Sequence, residues 1–173
     1  MLASDFVNRI AKEMGRDPRE IERYTRYLRE AALFPERVGG RKAPITADAA
    51  ANLLLAVLAA DNATHAAEAA REYGALRSKS GVNVETLHGF LTRILERGHS
   101  DGVLRRSFGA ATLTVFLGGY GAMLNPGRND EKLFRPANLG ARPKILFQSN
   151  IDGSLLLGLS FAIADKPEPQ HLA

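Results

Sequence analysis

Residues 4–35 read SDFVNRIAKEMGRDPREIERYTRYLREAALFP, and the fold is decided there. Phe6, Val7, Ile10 and Met14 recur at helical spacing, which predicts a helix over 3–14 with one buried stripe. Ser4 or Asp5 can cap its start, and Gly15 can end it. Pro18 suits the first turn of a second helix, where its missing N–H would have no partner in any case. That helix carries Ile21, Tyr24, Leu28 and Leu33 on one side and stops at Pro35. Two helices crossing closely need a small residue in the first, here Ala11. They need a residue tolerant of positive φ four positions later, Gly15, and a branched apolar anchor six further on, Ile21. Met14 and Tyr24 fill adjacent core positions. The spacing therefore predicts a helix-turn-helix.

On the second helix Arg16, Arg19, Arg23 and Arg26 fall at steps of three or four and share a broad exposed face. Guanidinium groups suit bidentate contacts with guanine edges and phosphates. The plainer reading is a solvated face laced with Glu20, Glu22 and Glu30 in i,i+3 or i,i+4 pairs. The Ala-Gly-Ile spacing favours the nucleic-acid reading.

Outward from this pair, Gly39-Gly40-Arg41-Lys42-Ala43-Pro44 is a turn-rich basic loop. Thr46 is placed to cap a third helix with Leu53, Leu54, Val57 and Leu58 on its apolar face. A fourth, Ala-rich helix is expected over 64–76, and 77–81 reads as a loop. A fifth helix follows Asn83, with Leu87, Phe90, Leu91, Ile94 and Leu95 aligned. After Gly98 the period changes. Ala111–Leu117 alternates as a strand does. Residues 125–143, rich in Pro, Gly, Asn and charge, read as a long loop. Lys144–Ser149 and Ser154–Ile163 are expected as two strands of a hairpin turned at Asp152-Gly153. The expectation is an α+β chain: a winged helix-turn-helix over 1–60, a helical connector over 61–98, a small antiparallel β-sheet over 99–165, and a frayed tail over 166–173. A sheet this small must pack on the fifth helix or on another copy of the chain.

The 173 residues are 45% hydrophobic and 24% charged, enough for a buried core. Formal charge is +4, which permits nucleic acid without demanding it. Residues 1–46 hold ten Lys/Arg against seven Asp/Glu, so most of the excess lies in the first quarter. No cysteine is present, so no disulfide framework or thiolate metal site can form. No secretory leader pattern opens the chain, and no apolar run approaches the ~20 residues of a membrane span. A cytoplasmic protein without membrane contact is expected.

Chemistry-bearing alternatives are weak. His65, His88, His99 and His171 lack metal-ligand spacing. His99-Ser100-Asp101 holds triad residue types side by side, yet a triad is assembled in space. Gly118-Gly119-Tyr120-Gly121 lacks the Lys-Ser/Thr of a phosphate-binding loop. The reading is of a protein that is not an enzyme, with no cofactor or metal.

Arg26-Tyr27, Ala32-Leu33-Phe34-Pro35, a Gly-Arg-rich loop and Ile45-Thr46-x-Asp48-Ala49 together resemble the DNA-binding head of MerR-type regulators, over about residues 4–60. That head has an Arg-Tyr-Tyr stretch before a Gly-Leu-Leu-Pro turn. Here Leu28 stands for the second Tyr and Ala32 for Gly. The family's long dimerisation helix and effector-sensing cysteines are missing. The resemblance implies that Arg26 and Tyr27 hold backbone phosphates, with Arg41 and Lys42 at a wing tip near the neighbouring groove. Arg16, Arg19 and Arg23 are expected to face the major groove of double-stranded DNA. The C-terminal portion is expected to form a homo-oligomer or meet a protein partner. A transcriptional regulator is the first expectation. The layout is also similar to phage small terminase subunits, and a third reading has the arginine face contact protein.

Overall fold

A computed structural model describes residues 1–36, 43–78, 84–117, 121–125, 132–135 and 147–164. The chain opens with helices α1 (Ala3–Glu13) and α2 (Pro18–Glu30), followed by α3 (Ala47–Ala59). A 3-10 turn (Ala63–His65) leads into α4 (Ala66–Gly74), and a two-residue strand β1 (Arg77–Ser78) precedes α5 (Leu87–Arg97). Next come α6 (Gly102–Phe108), β2 (Thr112–Leu117), β3 (Gly121–Asn125), β4 (Lys132–Arg135), β5 (Phe147–Asp152) and α7 (Gly153–Ile163). The class is α+β with helices dominant, as expected.

The α1–α2 pair forms for the reasons its residues suggest. Phe6, Val7, Ile10 and Ala11 of α1 are buried against Ile21, Tyr24 and Leu28 of α2. Gly15 sits at φ +62°, in the left-handed region where a glycine carries no Cβ penalty. Its N–H bonds the Lys12 carbonyl at 3.2 Å, and the Arg16 N–H bonds the Ala11 carbonyl at 2.8 Å. This pair of bonds is a Schellman cap, closing the orphan carbonyls of α1. Asp17 then accepts from the Arg19 N–H at 2.8 Å, and Pro18 opens α2. The α1 start differs from expectation: Leu2 occupies the cap position with no side-chain bond, and the Ala3 N–H is satisfied by the Ala43 carbonyl instead.

The end of α2 repeats the same device with a different residue. Ala32 takes φ +58°. Its N–H bonds the Arg29 carbonyl at 2.9 Å, and the Leu33 N–H bonds the Leu28 carbonyl at 2.8 Å. Ala32 thus occupies a glycine position with a Cβ.

Helix α3 lies at the centre. Every residue from Ala47 to Ala59 except Asp48 is buried, and Thr46 caps it by accepting from the Ala49 N–H at 3.2 Å. It meets α2 on one side, α4 and α5 on others, and strands β2 and β5 beyond. A single buried cluster therefore runs from Phe6 through Leu54 and Phe90 to Leu157.

Among the described residues the sheet is five-stranded and antiparallel throughout, in the order β1-β4-β3-β2-β5. Leu113, Val115, Ala122, Leu124, Phe134 and Ile151 supply its buried side. Phe90 of α5 joins helices to sheet, with ring centroids 5.4 Å from both Phe108 and Phe134.

Several expectations are corrected. Ser154–Ile163 is helical, not a strand. The run SLLLGLSFAI is apolar at nearly every position, so its alternate row of Leu155, Leu157, Leu159, Phe161 and Ile163 carried no real period. As a helix it buries Leu156, Leu157, Leu159, Ser160 and Phe161 and packs on α5. Asp152-Gly153 is consequently a strand-to-helix junction and not a hairpin turn. Gly153 is required there because a Cβ would lie 1.9 Å from the Phe108 carbonyl oxygen. The stretch 125–143 contains a strand, β4, and the segment after Gly98 holds a further helix, α6, capped by Asp101, before the sheet begins. β3 and β1 were likewise not anticipated as strands. The strand expected at 144–149 is β5, displaced to Phe147–Asp152.

The two Schellman turns give opposite expectations. Ala32→Gly should stabilise by about 1 kcal/mol, because the left-handed penalty is relieved at an exposed site. Gly15→Ala should cost about as much, and only through conformation, since no atom lies within 4 Å of the added Cβ. Urea denaturation of both variants reads the two signs; equal shifts in one direction would contradict this account.

Candidate nucleic-acid interface

The inner and outer faces of α2 are chemically distinct. Ile21, Tyr24, Thr25 and Leu28 are buried, while Arg19, Glu22, Arg23, Arg26 and Glu30 are exposed. At 3.6 residues per turn, Arg19, Arg23 and Arg26 fall within about 60° of one another, opposite Ile21 and Leu28. Burial of one face thus dictates where these guanidinium groups project.

The arginines are not equivalent. Arg16 lies before the helix and bonds Glu20 at 3.2 Å. Arg26 bonds Glu30 at 3.0 Å and lies 5.8 Å from the ring centroid of Tyr27. With Arg26 and Glu30 at 73% and 54% side-chain exposure, that pair contributes only about 0.3–0.5 kcal/mol. Arg19 and Arg23 have no ion pair among the described residues. Tyr27 is half-buried against the core, which leaves part of its ring at the surface. Arg41 and Lys42, the expected wing-tip residues, lie outside the described residues.

Three further side chains, which the helical pattern did not single out, fix the α2 exit. Arg29 donates from Nε to the Pro35 carbonyl at 3.2 Å and stacks 5.4 Å from the Phe34 ring centroid. Asn52, buried in α3, donates to the Leu33 carbonyl at 3.2 Å. Arg71 of α4 donates to the Ala31 carbonyl at 3.2 Å. These bonds span up to forty residues of sequence, so no local period signals them. Their effect is to hold the turn that follows α2 against the body, so α2 is fixed at both ends. A shallow groove of about 510 Å³ runs along this side, lined by Glu22, Arg26, Arg29, Glu30 and Glu36.

Beside α2, the 3-10 turn carries an exposed pair. His65 Nδ1 lies 2.7 Å from Asp61 Oδ1. Through that hydrogen bond, the Asp61 carboxylate raises the His65 imidazole above its ordinary value, and His65 lowers Asp61 in return. Asn62 caps the turn through bonds to the Thr64 N–H and hydroxyl.

The other sequence candidates take structural places. Asp101 caps α6 by accepting from the Val103 and Leu104 N–H groups at 2.8 and 3.1 Å, which holds its carboxyl below the usual range. His99 packs edge-on to Phe161, with centroids 6.2 Å apart, and accepts from Arg105 through its carbonyl. His88 Nε2 approaches Asp48 Oδ1 at 3.4 Å. Among the described residues no three His, Cys, Asp or Glu side chains gather in a way that could hold a metal ion. No described helix is long and apolar enough to cross a membrane.

No family model matches the chain, and neither a curated protein nor a solved structure matches it.

The His65–Asp61 pair is directly measurable. Because the folded Asp61 carboxyl is lowered and the folded imidazole is raised, the stabilisation from the pair is complete at pH above the unfolded carboxyl value and below the unfolded imidazole value. It is lost as pH rises through the folded one. In an NMR titration the His65 midpoint should fall in Asp61→Asn; an unmoved midpoint would remove the carboxylate as its cause.

Proposed function

We propose that the chain binds double-stranded DNA through α2, acting as a recognition helix presented by a helix-turn-helix, and that it serves as a transcriptional regulator. One observation carries the reading. The face of α2 opposite the core holds Arg19 and Arg23 exposed and, among the described residues, without an ion pair, on a helix anchored at both ends. A reading helix must be held rigidly, because a base contact depends on ångström-level placement. The Schellman turn at Gly15 and the bonds from Asn52 and Arg71 supply that rigidity.

In this reading the outward arginines enter the major groove, as the first turns of such helices do. Arg26 and the exposed edge of Tyr27 meet the phosphate backbone. Arg41 and Lys42, the expected wing-tip residues, would add backbone contacts.

A single small module has limited affinity, and paired half-sites are the usual remedy. Among the described residues, β5 has a strand neighbour on one side only, so its other edge offers unpaired backbone groups to a second copy. The native mass by light scattering separates two outcomes. A dimer fits an operator-reading regulator. A ring-sized assembly would replace it with the small-terminase layout.

Binding to mixed-sequence duplexes followed by fluorescence anisotropy tests the central reading. The logarithm of affinity should fall linearly with the logarithm of salt concentration, since phosphate contacts release counterions. Arg23→Ala should weaken binding to the preferred site by about 1–3 kcal/mol. No salt-dependent affinity for any duplex would overturn the proposal and favour a protein partner for this face.

A further inference from the structure

The outward face of α2 is not uniformly basic, and this bears on what it can read. Glu22 is exposed between Arg19 and Arg23 in sequence, and Glu30 lies one turn beyond Arg26. A surface that only gripped phosphates would gain nothing from Glu22, whose carboxylate is repelled by them. In the major groove the same carboxylate has a partner, since the cytosine N4 amino group donates and a Glu accepts. Arg19 and Arg23 have the complementary partner, because guanine O6 and N7 together accept a guanidinium fork.

The placement along the helix agrees with this division. Arg19 is the second residue of α2 and Arg23 stands one turn later, so both belong to the half that enters a groove first. Four residues advance the helix by about 6 Å. A duplex rises 3.4 Å per base pair along each strand, so that advance covers about two steps. Arg16 and Arg26 flank this pair, and each is already bonded to its own carboxylate, Glu20 and Glu30.

We propose that α2 reads G·C base pairs, with Arg19 and Arg23 each taking a guanine about two steps apart and Glu22 taking a cytosine. Arg16 and Arg26 contribute to affinity without contributing to sequence choice. This rests on the reading of α2 as a DNA-recognition helix.

The test is selection of bound duplexes from a random 20-base-pair pool by the intact chain, followed by anisotropy on the selected site. The selected site should contain two guanines separated by about two steps. Arg19→Ala and Arg23→Ala should each erase the preference at one of them, a loss of about five- to a hundred-fold against the mismatched site. Glu22→Gln should relax the choice of cytosine. Arg16→Ala and Arg26→Ala should weaken all duplexes alike. Replacing either guanine by 7-deazaguanine, which lacks the N7 acceptor, should reproduce the loss without altering the protein. All these positions are at least partly exposed, and circular dichroism verifies that each variant is folded. Selection of A·T-only sites, or salt-dependent binding without sequence preference, would overturn this proposal while leaving DNA binding intact. No binding to any duplex would overturn both.

Discussion

A helix buried on nearly every side cannot rest on a surface, and α3, with only Asp48 of its first turn exposed, is such a helix. Burial of Leu53, Leu54, Leu55, Val57 and Leu58 at 0–1% exposure obliges the chain to enclose it completely. Each such side chain contributes about 1.5–3 kcal/mol on burial. The exposed Arg26–Glu30 pair on α2 contributes about 0.3–0.5 kcal/mol. The enclosure of α3 therefore sets the architecture, and surface charges can be assigned to other work. α2 closes one side, α4 and α5 close others, and β2 and β5 reach it from the sheet. Asn52 is the buried polar residue of α3, and it donates to the Leu33 carbonyl at the exit of α2.

This constraint is what gives α2 two faces. Its buried side is claimed by the core, so its arginines must project outward, and the turns at its ends decide the direction. Gly15 and Ala32 both adopt the left-handed conformation, and the two caps are built on the same pair of bonds. The glycine does so without penalty. The alanine does so at a cost that the bonds from Arg71 and Asn52 to the neighbouring carbonyls offset.

Much of the helical part was legible because its signals are local. The stripe of Phe6, Val7 and Ile10, the Gly15 turn, Pro18 at the first helical position and the Thr46 cap are all encoded within a few residues of where they act. β2 was legible for the same reason, through the alternation of Leu113 and Val115 against Thr112 and Thr114. β3 and β4 were not. Gly121-Ala122-Met123-Leu124 lacks alternation, and Lys132–Arg135 is a four-residue strand set among turn formers; both exist because neighbours pair with them. The α7 segment was misread because continuous apolarity supports either period. Its length of ten or more residues was the better guide to a helix. In the candidate site, the i,i+4 carboxylates beside Arg16 and Arg26 could be read from spacing. The anchoring by Arg29, Asn52 and Arg71 could not, because it depends on chain segments brought together only by folding.

The central claim is that the outward face of α2 is the surface that meets a duplex. Its most direct measurement is the NMR spectrum of labelled protein, including arginine Nε–H signals, recorded with and without duplex DNA at low salt. The account predicts that the largest shifts fall on Arg19, Arg23 and neighbouring α2 amides, with α7 and the inner strands unmoved. Shifts concentrated on β2 and β3 or on α6, with the α2 arginines unchanged, would contradict it.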